Sequence, residues 1–216
     1  MEYAHAAAGP NMDGDAPFAG TVSVANEFPP RDVERLRRGD RAALEAAYRQ
    51  FGARVHASCR GLLGNAADAE DAVQEIFLKL RERAAQFDGA ARFSTWLFRI
   101  TVNHCLQQLE RRRVRNAEQL PRDAAREFAD GGASPLDLAH ARDAREVLER
   151  RLGELNHEHR AVLVLRELND LPYAEIAAVL DVPVGTVMSR LARARERWIE
   201  LTKDASARCS VEESQR

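Results

Sequence analysis

Between Asn65 and Leu80, the apolar residues Ala69, Ala72, Val73, Ile76, Phe77 and Leu80 fall at i, i+3, i+4, i+7, i+8 and i+11. That period makes one continuous stripe on an α-helix, and on a strand it would scatter over both faces. Asn65 followed by Asp68 supplies an N-cap and an acid in the first turn, where the helix dipole favours negative charge. The same spacing recurs on both sides of this stretch, at Leu36, Ala43, Leu44, Ala47 and Tyr48, over Phe51–Leu63 with a stop at Gly64, and at Phe98, Val102, Cys105 and Leu109. No β-alternation lasts more than a few residues. The chain is therefore expected to be all-α.

Breakers divide it. Residues 116–145 turn polar and contain Pro121, Gly131, Gly132, Ser134 and Pro135, which reads as a linker. Helical spacing resumes and runs to about Lys203. The expected organisation is two small helical domains, residues 33–115 and 146–203, joined by a flexible linker. A mobile arm (1–32) precedes them and a mobile tail (204–216) follows. No apolar run approaches the roughly 18 residues of a membrane span, and no secretory signal is visible. The three cysteines, Cys59, Cys105 and Cys209, form no CxxC. That fits a reducing cytoplasm and argues against a disulfide framework or a cysteine zinc site.

A formal net charge of −2 in 216 residues argues against a nucleic-acid partner at first sight. Along the chain it is a cancellation. Residues 1–32 carry a net −4, 33–115 a net +6, 116–145 a net −2, and 182–203 a net +3 after an acidic stretch at 146–181. A basic, one-faced helix is the usual electrostatic footprint of phosphate binding. The alternative is an ordinary solvated surface.

Three helix faces stand out. On the first, Asp71, Gln74, Glu75 and Leu78 lie away from the apolar stripe, which suits either a partner surface or an amphipathic helix with one exposed Leu. The second face follows a turn at Asp88-Gly89. There Arg92, Trp96, Arg99 and Asn103 share one side of a helix starting near Ser94, which ends in Arg111, Arg112, Arg113 and Arg115. Bases, an aromatic and an amide on one face can grip phosphates and stack on an unpaired base, although a lone Trp more often completes a core. The third lies on a two-helix unit. Pro172–Leu180 is joined through Asp181-Val182-Pro183 to a second helix from Val184 past Trp198. Val187, Leu191, Ala194 and Trp198 form the buried stripe of that second helix. Thr186, Arg190, Arg193 and Arg197 line one flank, with Ser189 on the outer face, as a recognition helix in a major groove requires. A plain αα-hairpin with a basic surface is the alternative.

The stretch Leu62–Leu80, with Phe93-Ser94-Thr95-Trp96-Leu97-Phe98-Arg99-Ile100 and Asn103 after it, resembles conserved region two of bacterial sigma factors. The likeness is greatest to the extracytoplasmic-function (ECF) subgroup. Tyr173-Ala174-Glu175-Ile176-Ala177 and Gly185-Thr186-Val187-Met188-Ser189-Arg190-Leu191 resemble region four. The resemblance covers roughly residues 33–203, in order, with a linker too short for a further helical domain.

It implies that Asp68, Asp71, Gln74, Glu75 and Leu78 dock on the β′ clamp coiled coil of core RNA polymerase. It also implies that Phe87, Arg92, Trp96, Arg99, Asn103, Arg111, Arg112 and Arg113 engage the minus-ten promoter element. Thr186, Ser189, Arg190, Arg193 and Arg197 would read the minus-thirty-five element, and a cognate anti-sigma protein is an expected partner. Two positions depart from the pattern. Pro172 stands where a capping Ser or Thr is frequent, and Met188 where a basic residue is common.

His157-Glu158-His159 has HxH spacing, which on a helix separates the imidazoles by about 200°, so no metal is expected. No P-loop, dinucleotide-binding or nucleophile motif is present. No cofactor and no catalytic role are expected. The competing reading is a stand-alone helix-turn-helix regulator that binds a palindromic duplex, with the first block as a dimerisation or effector domain. A protein-interaction adaptor is a third, and it leaves the Arg190, Arg193, Arg197 stripe unexplained.

Overall fold

The computed structural model describes residues 27–118 and 147–213, with side chains described through 115 and from 147 to 202. The sequence-predicted linker and most of the predicted arm lie outside these residues. Among the described residues there is no strand.

Four helices build the first half: α1 (Pro30–Arg37), α2 (Arg41–Leu63), α3 (Ala66–Arg83) and α4 (Phe93–Glu118). Their ends follow from local chemistry. Asp40 caps α2, its carboxylate accepting from the Ala42 amide at 2.8 Å. Gly64 ends the same helix in the left-handed region at φ 67°, where a Cβ would be strained. Asn65 caps α3 as its position predicts, accepting from the Asp68 amide at 3.2 Å. All six residues of the α3 stripe are buried. They pack on Phe51, Val55 and Leu62 of α2 and on Leu97 and Phe98 of α4 in one core.

The expected arm is too long by several residues. Phe28 is buried beside Phe51 and Phe93, its ring centroid 4.7 Å from that of Phe93. Glu27 accepts from the Phe93 amide at 2.8 Å and from the Ser94 hydroxyl at 3.4 Å. The first amide of α4 is thus satisfied by a carboxylate far away in sequence. At the other end of the chain, α8 continues to Glu213, through most of the stretch read as a mobile tail.

The second half comprises α5 (residues 147–154), α6 (His157–Leu163), α7 (Tyr173–Leu180) and α8 (Val184–Glu213). Asn156 caps α6 by accepting from the His159 amide at 2.8 Å. The helix then widens into a π-helical turn, Val164–Leu168. Pro172 serves as the N-cap of α7 and makes no side-chain cap bond. Asp181 ends α7 with φ at 55°, one of the few non-glycine residues that tolerate that region. Buried residues of both halves form a single cluster.

Two buried features bring together residues far apart in sequence. The free thiols of Cys59 and Cys105 lie 3.8 Å apart, and contact with Cys59 together with burial pushes the Cys105 thiol far up. The other is His104, nearly sealed between α3 and α4, whose Nδ1 faces Lys79 Nζ at 2.5 Å. Burial first, and then Lys79, hold the His104 imidazole below its ordinary value of 6.5. The sign follows. Above about pH 6.5 the ring is neutral in both folded and unfolded chains. Below it the unfolded chain takes the proton and the native state resists, so stability is lost as pH falls. Urea midpoints should drop from pH 7 to pH 5, and His104→Gln, which keeps an acceptor for Lys79, should flatten part of that drop. An identical pH slope in the variant would contradict this origin.

Among the described residues no helix is long and apolar enough to cross a membrane, and no His/Cys/Asp/Glu group has metal-binding geometry.

Candidate nucleic-acid interface

The α4 face forms where the turn after α3 meets the start of α4. Phe87 closes that turn from below. It is 7% exposed and packs edge-on against Phe93 at 5.7 Å and tilted against Trp96 at 5.2 Å. Phe87 is therefore a prop beneath the loop, with its ring turned away from the exposed surface. Trp96 is half-buried, with one face on Phe87 and Phe93. Arg99 and Asn103 follow on the exposed side, and the helix carries exposed Arg111, Arg113 and Arg115 toward its end.

Arg112 differs from its neighbours. It is half-buried and paired with Asp68 of α3. Two residues read as belonging to different partner surfaces thus neutralise each other and tie α3 to the basic end of α4. The rest of the α3 face is open: Asp71, Gln74, Glu75 and Leu78 are exposed, Leu78 at 48%. Its only large apolar side chain stands among carboxylates. Glu75 also neighbours Lys79 at 3.8 Å and His104 at 3.9 Å.

The α8 flank is built as its spacing implies. Val187, Leu191 and Ala194 are buried and fix the roll of the helix. Ser189 and Arg193 then face outward, with Thr186 half-buried beside them. Ser189 Oγ donates to the Thr186 carbonyl at 3.1 Å. Arg190 is turned back onto Glu158 of α6 at 2.6 Å, and Arg197 meets Glu200 at 2.9 Å. Such exposed pairs contribute on the order of 0–1 kcal/mol and exchange readily for a phosphate. Met188 is 55% exposed and Val184 42% exposed on the same outward side.

Some residues around these faces gave no signal in the sequence. Glu175 of α7 takes Arg92 at 3.1 Å and Thr95 Oγ1 at 2.8 Å. Arg99 donates to the carbonyl of Ala178. Arg54, half-buried against the Phe98 ring, donates to the carbonyl of Asn169 at 2.6 Å, and its partial burial lowers its pKa. These contacts join residues more than seventy positions apart, which no periodicity reveals.

The sigma-70 region 2 family matches residues 47–115, and sigma-70 region 4 matches residues 145–197. The ECF RNA polymerase sigma-E factor of Escherichia coli K12 is 36% identical over 171 residues, 76% of this chain and 88% of that protein. The chain belongs to the ECF sigma factors. SigW of Bacillus subtilis 168, another ECF factor, is 27% identical over 178 residues, 80% of this chain and 95% of its own length.

Two solved structures share the fold of this sigma factor. One is CnrH in complex with the cytosolic domain of CnrY, with a TM-score of 0.61 and 24% identity, covering 81% of this chain and 96% of that one. The other is the sigma factor RpoE of Bartonella quintana in complex with the anti-sigma factor NepR. Its TM-score is 0.59 at 24% identity, over 74% and 96% of the two chains. In this sigma factor α2 to α4 thus carry region two, and α5 to α8 carry region four.

Proposed function

We propose that the chain binds core RNA polymerase through the α3 face and directs it to promoters. In this reading α4 engages and melts the minus-ten element, and α8 reads the minus-thirty-five element. The observation that carries it is the pairing of two family regions in order with two outward arginine faces, one beside a half-exposed Trp and one on a helix-turn-helix. Asp71, Gln74, Glu75 and Leu78 dock on the β′ clamp coiled coil. Arg92, Trp96, Arg99 and Asn103 receive a base flipped out of the opening duplex and the phosphates beside it, at an unstacking cost of about a few kcal/mol. Arg111 and Arg113 continue the phosphate track. Ser189, Arg190 and Arg193 enter the major groove, with Thr186 and Arg197 on its rim.

The chain works in the cytoplasm and does no covalent chemistry; it supplies promoter choice to an enzyme that does. It is held in reserve by a cognate anti-sigma protein, a reading supported by the Bartonella quintana relative, whose structure is of such a complex. The test is run-off transcription with purified core polymerase on fragments of the native genome. Discrete, factor-dependent start sites are expected. No core binding and no factor-dependent transcript would overturn the reading.

Met188 gives a second expected result. An Arg in its place adds a charge on the outward side of the recognition helix. Met188→Arg should tighten promoter binding by the holoenzyme by about 3- to 10-fold at low salt and steepen its salt dependence by roughly one phosphate contact. Unchanged salt dependence would place Met188 away from the DNA backbone.

A further inference from the structure

We propose that Glu27, with Phe28 behind it, is a positioning residue for promoter opening. It sets the geometry of the loop 87–92 and of the first turn of α4, where the flipped base is received. The proposal rests on the reading of α4 as the minus-ten face.

That loop has little support of its own. Residues 88–92 are exposed, and the Asp88 carboxylate is engaged inside the loop, accepting from the Ala90 amide at 2.9 Å. Gly89 turns the chain at φ 79°, a conformation that suits a residue without a Cβ. Arg92 stands directly before α4 with only donors on its side chain, so it cannot cap this helix as Asn65 caps α3. The first turn of α4 also contains no acid. The local sequence therefore leaves the start of α4 without the groups that ordinarily fix a helix end.

Glu27 supplies them from a distance. Its carboxylate accepts from the Phe93 amide at 2.8 Å and from the Ser94 hydroxyl at 3.4 Å, and it stands 4.0 Å from Arg92 Nε. A negative charge there also meets the positive end of the α4 dipole. Glu27 is itself held in place. Its carbonyl accepts from Gln50 Nε2 of α2 at 3.4 Å, and the Phe28 ring packs between Phe51 of α2 and Phe93 of α4. The two residues thus strap the start of α4 to α2. The strap reaches the binding face through the backbone, because the Trp96 amide donates to the Arg92 carbonyl at 3.0 Å. Both residues precede residue 47, where the match to region two begins, so this support comes from outside the matched region.

A base that leaves the duplex loses its stacking, and a face that is already ordered recovers more of that loss. Each loop residue that binding has to fix adds to the cost of capture. Without the strap, the loop has to order itself as it takes the base. The α3 face is fixed by its own buried stripe and keeps its shape.

Three substitutions separate reach from charge. Glu27→Ala removes the carboxylate; its side chain is 35% exposed, so the core stays packed. Glu27→Gln keeps an oxygen that accepts from the Phe93 amide. Glu27→Asp keeps the charge and is one methylene too short. Full-length factors are assembled with core polymerase and titrated against a fluorescein-labelled promoter duplex that is pre-melted over the minus-ten element. Each non-template nucleotide of that element is replaced in turn by an abasic one. In the wild type, one abasic position should weaken binding by about 10-fold, the size of a lost base stack. Glu27→Gln should keep that penalty, whereas in Glu27→Ala and Glu27→Asp it should fall to about 3-fold or less. A full penalty in Glu27→Ala, or one kept by Glu27→Asp and lost from Glu27→Gln, would overturn the proposal. A wild type with no sensitive position sinks the minus-ten reading itself, so the two failures are distinguishable.

Discussion

Glu75→Arg combined with Leu78→Arg should weaken binding to core RNA polymerase by about 100-fold or more. Both side chains stand exposed on α3, Leu78 at 48% and surrounded by carboxylates. An apolar anchor ringed by charge is the pattern of an interface centre. Each loss of about 1.4 kcal/mol is tenfold, and placing two cations against a surface that accepts acids adds repulsion to the lost contact. Neither residue is in the core, so the free energy of unfolding should change little, by roughly 0.5 kcal/mol at most. Fluorescence titration of labelled factor with core enzyme measures the first quantity and equilibrium unfolding the second. Core affinity within threefold of wild type would remove α3 from the polymerase interface.

The second large effect is expected at promoter opening. Trp96→Ala with Arg99→Ala takes away the half-exposed ring and the adjacent guanidinium. Stacking of an unpaired base on an aromatic is worth about 1–3 kcal/mol, and a lost charged contact adds to it. Open-complex formation should fall by about 10- to 1000-fold, while core affinity stays unchanged. A template carrying a pre-melted bubble should restore much of the activity, because it removes the unstacking step. Trp96 also packs on Phe87 and Phe93, so thermal stability of the double variant must be checked. Rescue on the bubble template is the readout that lost packing alone would not give. Equal defects on duplex and bubble would contradict a role in melting.

The sequence announces what is local and periodic. The α3 stripe, its Asn65 cap, the Gly64 stop and the Asp181 turn all act within a few residues, and each stands where spacing places it. The flank of α8 is legible for the same reason: buried Val187, Leu191 and Ala194 fix which side the arginines face. The burial of Phe87 is not legible, because an aromatic in a short turn has no period to say whether it points in or out. Phe28 and Glu27 are missed because their partners, Phe93 and Ser94, lie more than sixty residues on. The contacts of Arg54, Arg99 and Arg160 with backbone carbonyls are invisible in principle, since a carbonyl belongs to every residue.

Charge is the clearest case of a sum concealing structure. The net −2 hides a basic region two and a basic recognition segment behind acidic stretches. A factor so balanced gains little from bulk electrostatics. Free duplex DNA should therefore hold it weakly, and polymerase should be needed to present it to a promoter.

Permanganate reactivity of thymines on a mapped promoter tests that dependence most directly. With core polymerase and the factor together, unpaired thymines should appear within the minus-ten element and nowhere upstream. Neither component alone should produce them. Tight binding of the factor alone to a palindromic duplex, with no thymine reactivity when core is added, would contradict a sigma factor and favour a stand-alone regulator.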